Sequence, residues 1–523
     1  MTKYLISRIL RAVFSVVLVI AVIMIMIYSF LDREAIFNAD PTFQKRLNND
    51  KDIYKQQQWE KYGYLDYINF TDYLQDEIKA GRLTAEQADA ARLAVTGDLD
   101  SPETKALVDA FTEKYRAEGY DIVRLPGSYK IGTKKYSEGG APKLYATKDI
   151  PLIQRLVSYF AGLIKIDNIH NVDDVEGERG LTFTLYDPAY GGEKFSPAIM
   201  GNGTNYRYLL YCDDTFPYIH QNLVKVHLGV SYSVTKDIDV FNTMTDAQGP
   251  QKFTTITYPS GVVENTADDI HSLRYVPDTS DQGLLNQKYF VDDYTGVTTA
   301  KSGMSQMGYS FSIGIISVIL AYLLAIPLGV LMALNKDKFI DKLGTFYIVF
   351  IMAVPSLGYI FIFRAIGSSF KLPTTFDVQN PTWLMYILPV ISLSLPSIAN
   401  LMKWLRRYMI DQMNSDYVKF ARSGGLSEGE IFSKHILKNA IIPVVHGIPG
   451  SILGALTGAI ITERVYLVPG IGNVLTTAIN KYDNGVIVGV ALFYAVLSVT
   501  SFILGDVLMA TLDPRISFTS KAR

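Results

Sequence analysis

Six long apolar runs set the plan of the chain, and the polar residues are arranged around them. Ala12–Leu31 is uncharged and almost wholly apolar. Five more runs come late, at approximately Tyr309–Leu334, Leu343–Phe363, Trp383–Met402, Ala440–Thr462 and Gly485–Leu512. About 20 such residues cross a bilayer as a helix. The first run ends in YSFLDREA, without the small-x-small site of a cleavable signal peptide, and its core is longer than such peptides use. It reads as an uncleaved span. Six spans put both ends of the chain on the same side.

Between the first and second runs the period changes twice. Phe70–Gly81 and Leu83–Val95 repeat apolar residues at three and four, as amphipathic helices do, and Asp100-Ser101-Pro102-Glu103 resembles a helix start. Further on, Leu181–Gly192, Asn205–Asp214 and Lys252–Gly261 favour short strands and turns. The expected fold is an α-helical membrane protein with six transmembrane helices. A large α+β extracellular domain is inserted between helices 1 and 2. The divisions are residues 1–31, 32–306 and 307–523.

Charge fixes the orientation. Residues 32–306 carry a net −11 and the remainder +9, although the whole chain is only −2. The four segments expected inside hold sixteen Lys and Arg; the two short outer loops hold Arg364, Lys371, Arg464 and Lys481. Basic residues collect on the cytoplasmic side of short loops, so both termini are expected inside and residues 32–306 outside. A single cysteine, Cys212, allows no internal disulfide.

The spans carry more than anchors need. Pro327, Pro355, Pro389, Pro396, Pro443 and Pro449 each remove a backbone donor and tend to kink a helix. Gly450, Gly454 and Gly458 share one helix face, for packing within this chain or against a second transmembrane subunit. Ser356, Tyr359, Ser392, Asn400, Ser451 and Thr457 are modest polar groups that could line a path. Asp506 reads as the one acidic residue inside a span, in a packing role. No row of carboxylates crosses the bilayer as a proton relay would require.

Catalytic patterns are missing. There is no P-loop and no G-x-S-x-G elbow, and the six histidines have no metal-ligand spacing. The acidic stretch Asp167–Glu178 lacks the EF-hand arrangement and reads as a solvated loop. Uphill transport would need a motor on another chain. The remaining feature is the basic, helix-forming segment 411–440, broken at Ser423-Gly424-Gly425, with Ser427 as the cap of its second helix. It is either a solvated connector or a surface that another protein grips.

This segment resembles the EAA loop of importer-type ATP-binding-cassette (ABC) permeases. The peptide and nickel branch runs D-Y-V-x-x-A-R-x-K-G-L-S, then H-x-L-x-N-A-x-x-P-V. This chain has Asp416-Tyr417-Val418, Ala421-Arg422, Gly425-Leu426-Ser427, His435, Leu437, Asn439-Ala440 and Pro443-Val444. Lys419-Phe420-Ala421 stands where other importers have Glu-Ala-Ala, and Gly424 replaces a usual basic residue. Glu463-Arg464-Val465-Tyr466, Pro469-Gly470-Ile471-Gly472, Leu512-Asp513-Pro514-Arg515 and His227-Leu228-Gly229-Val230-Ser231 resemble other family motifs. The long outer segment is similar to that of Ami-type oligopeptide permeases of Gram-positive bacteria.

The resemblance implies a type I importer fold in a bacterial cell membrane. It implies a second homologous permease subunit, two ATPase subunits that bind ATP and magnesium, and a lipid-anchored peptide receptor. Asp416, Tyr417, Ala421, Arg422, Gly424, Gly425, Leu426, Ser427 and Glu428 would then form the coupling helix and its turn. No nucleic acid, metal or cofactor is expected on this chain. A permease for nickel or a dipeptide, and an anchored sensor or docking protein, are the competing readings.

Overall fold

The computed structural model describes residues 2–89, 91, 102–127, 130–131, 135–136, 141–173, 175, 177–187, 193, 195–212, 219–250, 254–257, 263–266 and 303–512. Four helices are long and apolar enough to cross a membrane, and six spans result if each of two bent pairs counts as one. The membrane helices are α1 (Thr2–Phe30), α2 (Gln306–Leu334), α3 (Phe339–Ala353), α4 (Ser356–Ser369) and α5 (Ile387–Met413). They are followed by α6 (Asp416–Ser423), α7 (Lys438–His446), α8 (Ile448–Tyr466), α9 (Ile471–Asn480) and α10 (Asn484–Leu512).

The two bent pairs correct the expectation of six plain spans. The run Leu343–Phe363 is broken between α3 and α4, which meet at 110°. The cause is Pro355: its ring forces Val354 out of the helical region, to φ −82° and ψ 131°. The run Ala440–Thr462 bends by 45° at Gly447, just before Pro449 in the first turn of α8. Pro327 and Pro396 stay inside continuous helices. Proline alone did not determine where the chain turns.

The expectation that Asp506 is the only acidic residue inside a span is also corrected. Helix α3 carries Asp341, buried and held by both arms of Arg406 at 2.5 and 2.6 Å. Helix α8 runs past Thr462 and carries Glu463, also buried. Asp506 itself joins helices: Arg8 Nη2 of α1 lies 2.6 Å from it and His446 Nε2 of α7 lies 3.8 Å away.

One apolar core unites α2, α3, α4, α5 and α8, around Ile313, Ala321, Leu388, Ala399 and Ala459. A second joins Ile20, Met24 and Ile27 of α1 to Val474 and Ala478 of α9 and Val486 and Val490 of α10. Leu228, Val240 and Met244, from the segment between α1 and α2, belong to that same core. So this segment is packed onto the helices and not merely strung between them.

The described parts of that segment mix helices with antiparallel strands. Helix Phe70–Lys79 forms where helical periodicity predicts it, helix Pro102–Ala117 follows the expected helix start, and strands Gly180–Thr184, Tyr208–Cys212 and Thr254–Thr257 form where the β pattern does. Asp100, Ser101 and all of residues 92–95 lie outside the described residues, as does the Asp513-Pro514-Arg515 motif. Strand Lys143–Asp149 is central in a three-stranded sheet, between Leu65–Asn69 and Asp121–Leu125. A four-stranded sheet has the spatial order Ile219–Gln221, Tyr208–Cys212, Ala198–Asn202, Gly180–Thr184. Asp167 of the acidic stretch is buried and accepts from the backbone N–H groups of Asn205 and Tyr206, each at 2.9 Å. This carboxylate serves as a structural acceptor.

Candidate functional site

The segment after α5 folds as a compact platform. Val418 and Ala421 put one side of α6 into a core with Leu405, Met409, Ile431, Ile436, Ala440 and Val444. Ala333 from the end of α2 reaches the same core, so α6 is tied to two membrane helices and to α7. The spacing of three between Val418 and Ala421 is one turn of a helical face. The opposite side carries Asp416, Lys419, Phe420, Arg422 and Ser423, all exposed. Phe420 is 80% exposed.

The turn after α6 divides the labour between its two glycines. Gly425 has φ +84°, a left-handed conformation in which a Cβ is strained. Its N–H donates to Arg422 O at 3.1 Å, and the Leu426 N–H donates to Ala421 O at 3.3 Å. These two bonds make a Schellman ending, with Leu426 packed near Ala421 as its apolar contact. Gly424 has φ −77°, open to any residue, and a Cβ there would meet only Ala421 O and Phe420 O at 3.5 Å. The expected two-glycine break is therefore a one-glycine turn, and Gly424 is tolerated there without being required.

Polar contacts close the turn on itself. Ser427 caps the next helical turn in a reciprocal box with Glu430. Arg422 grips Glu428 through Nε at 2.6 Å and Nη2 at 3.0 Å. The Tyr417 hydroxyl bonds Gln412, donates to His435 O at 3.2 Å and accepts from Asn439 Nδ2 at 3.0 Å. It thereby links α6 to the π-helical stretch Ile431–Leu437 and to α7. The Lys419 ammonium, bonded to Asp416 at 2.9 Å, holds that carboxyl below the usual carboxylate range.

The residues expected to line a path or pack helices are scattered. Asn400 and Thr457 are exposed. Ser356 is half-buried in the first turn of α4, and Tyr359 is buried in the core one turn later. Ser392 is buried and lies 3.0 Å from the Tyr466 hydroxyl; Ser451 lies 3.1 Å from the Tyr322 hydroxyl. Gly450 and Gly454 are exposed, and a Cβ on either would meet nothing within 4 Å among the described residues. At Gly458 a Cβ would meet Leu393 at 3.7 Å. At Gly450 and Gly454 the glycine face is not used for packing among the described residues.

Two buried carboxylates organise the opposite end. Glu463 accepts from Ser310 Oγ at 2.6 Å and from the Asn473 N–H at 3.1 Å, tying α8 to α2 and α9. Asp483 is fully buried just before α10. It accepts from Ser231 Oγ at 2.7 Å and from the backbone N–H groups of Tyr232, Ser233 and Val234 at 2.8 to 2.9 Å. The Val486 N–H adds a fifth bond at 3.1 Å. The His227–Ser231 motif is thus clasped to the last span. Gly489 allows it to come close: a Cβ there would sit 2.7 Å from Leu228 O.

Sequence reasoning missed Asp483, and it named Glu463 only within a family motif while ending the fifth apolar run one residue before it. A signal for the first was present, because an aspartate just ahead of an apolar helix is a strong N-cap. Among the described residues, no group of three or more His, Cys, Asp or Glu side chains could hold a metal ion.

Residues 325–518 match the family of binding-protein-dependent transport system inner membrane components. The oligopeptide transport system permease protein AmiC of Streptococcus pneumoniae is 35% identical, with 100% of this chain and 99% of that protein covered. The dipeptide transport system permease protein DppB of Lactococcus lactis is 31% identical over 43% of this chain and 73% of its own. A solved methionine ABC transporter in an inward-facing form is 10% identical over 39% of this chain and 93% of that chain, with a TM-score of 0.33. The shared motifs and the full-length relative agree, and the chain belongs to the binding-protein-dependent transport system inner membrane components, as a permease subunit of an ABC transporter.

Proposed function

We propose that this chain is one of two homologous permease subunits of an ATP-driven oligopeptide importer in a bacterial cell membrane. It crosses the membrane six times, with each bent helix pair acting as one span. Both termini are cytoplasmic and residues 32–306 form an extracellular α+β domain. The positive-inside distribution supports this orientation. Two ATPase subunits beneath it bind ATP and magnesium, and a lipid-anchored receptor delivers the peptide. This chain carries no hydrolytic chemistry of its own.

The observation that carries the reading is the platform around α6. An aromatic side chain, Phe420, projects from a short helix whose other side is packed into α2, α5 and α7. Aromatic residues are the usual anchors of protein interfaces. A groove on an ATPase that closes over Phe420 and the Gly425 turn would move α6 as a lever. The shared core would pass that movement to the spans. Gly450, Gly454, Thr457 and Asn400, left open on this chain, are available to the second permease subunit or to the path between the two.

Peptide in place of another solute is favoured by coverage. The oligopeptide permease relative matches the whole chain, outer segment included, whereas the dipeptide permease relative matches 43% of it. The test is purification in mild detergent with mass identification, followed by uptake in vesicles. A second permease and two ATPases should co-purify, and unlabelled oligopeptides should compete for uptake while nickel does not. Competition by nickel alone, or purification without an ATPase, would overturn the reading.

A further inference from the structure

We propose that helix Leu152–Gly162, together with the strand that follows it, lies in the outer face of the membrane as an interfacial element. Its partner is lipid. One side of the helix is committed to the protein: Leu156, Tyr159 and Phe160 pack on the core that contains Met24 and Ile27 of α1. Ile27 lies three residues before the end of α1, so the contact sits about 5 Å inside the span. That is the depth at which amphipathic interfacial helices bury their apolar face.

The other side offers lipid what it needs. Ile153 is 76% exposed and Val157 63%, one turn apart, and Ala161 continues the stripe. The helix has a single charge, Arg155, and this is turned away over the rings of Tyr28 and Tyr64, at 3.8 and 4.0 Å. Strand Ile164–Ile166 then pairs with Val224–Val226, with Ile166 opposite Val224 and Ile164 opposite Val226. All four are exposed and share one face of the ribbon, while Lys165 opposite Lys225 marks the other face. Apolar on one side and basic on the other, this ribbon suits a bilayer border with anionic headgroups. Val22, Ile25 and Met26, in the same part of α1 as Met24 and Ile27, are exposed and, as part of a span, face lipid. A protein partner would find no charge and no free donor in the stripe to fix its register.

The test uses the full chain, assembled with its partner subunits in vesicles of phosphatidylethanolamine and phosphatidylglycerol. Cys212→Ser removes the native cysteine, and single cysteines at Ile153, Val157, Ala161, Gln154 and Ser158 receive nitroxide labels. Labels on the stripe at Ile153, Val157 and Ala161 should collide with oxygen in preference to a water-soluble nickel chelate. Those at Gln154 and Ser158, on the flank, should show a lower ratio. Nickel preference along the stripe means that it stands in water; shielding from both reagents means that a protein covers it. Either result overturns the proposal. The unmutated protein provides a second reading: a photoactivatable phospholipid should leave adducts within residues 152–166, and adducts confined to the spans would count against lipid contact here.

Discussion

The two ends of this permease are held together by opposite means. At the end we propose to be outer, Asp483 is sealed from water and accepts five hydrogen bonds from a loop some 250 residues away and from its own helix. At the end we propose to be inner, the turn on the platform after α5 is closed by exposed contacts between near neighbours, such as Arg422 with Glu428 and Ser427 with Glu430. Exposed ion pairs contribute about 0 to 1 kcal/mol. A buried acceptor that leaves several donors unpaired when removed matters far more. The outer clasp is thus built to stay shut. The inner platform is built to keep its shape while presenting an unsatisfied apolar side chain, Phe420, to something else. A transport cycle needs this division if the outer segment moves with the last span while the inner segment is pushed.

The largest test of this contrast is Asp483→Ala. It leaves Ser231 Oγ, the buried N–H groups of Tyr232 and Val486 and the half-buried N–H groups of Ser233 and Val234 without an acceptor. Each buried donor left unpaired costs about 1 to 3 kcal/mol, so the clasp should open. Limited proteolysis should then cut near residues 228–240 in the variant while the wild type resists. Asp483→Asn retains one acceptor oxygen and should fall between the two. Unchanged resistance in Asp483→Ala would mean that the apolar contacts of Leu228 and Val240 hold the loop without the carboxylate, and the contrast between the two ends would fail.

A smaller effect is expected at the inner turn, where the two adjacent glycines should behave differently. Gly425→Ala forces a Cβ into the left-handed region, at a cost of about 1 to 2 kcal/mol. Gly424→Ala meets no such penalty and should be neutral or slightly stabilising, because alanine restricts the unfolded chain. Amide hydrogen exchange over residues 416–430 reads the difference directly: faster exchange in the first variant, unchanged or slower in the second. Equal behaviour would show that the Schellman bonds do not define the turn.

The inner end was far more legible in the sequence than the outer, for a physical reason. Its capping and turn contacts join residues close in sequence, so Ser427, Gly425 and the apolar period of Val418 and Ala421 could be read in one window, although the reach of Ala333 into their core could not. The apolar runs were visible for the same reason, since length and composition decide a span. The clasp was hidden because Asp483 finds its donors in a remote loop, and no local pattern reports such a pairing. The bends were half legible. Pro355 shows where a helix must pause, but the 110° angle between α3 and α4 depends on the core that each enters. Pro396, equally visible, leaves α5 continuous.

The smallest effect on stability, and the sharpest on function, is expected at Phe420. With the ring 80% exposed, Phe420→Ala removes almost no packing, and surface changes of this kind stay within about 0.5 kcal/mol. If the ring anchors an ATPase, the same truncation should cost the complex about 2 kcal/mol or more, roughly thirtyfold in affinity. Thermal unfolding of the purified chain should therefore be unchanged, while ATPase co-purification and peptide uptake fall together. Lys434→Ala, which removes only an exposed ion pair with Glu430 and lies outside the coupling residues, is the matched control and should affect both much less. Normal uptake in Phe420→Ala would leave the exposed ring without a partner and reduce the inner platform to a connector. A loss of stability matching the loss of uptake would place the ring in this chain's own core, against the geometry that separates the two ends.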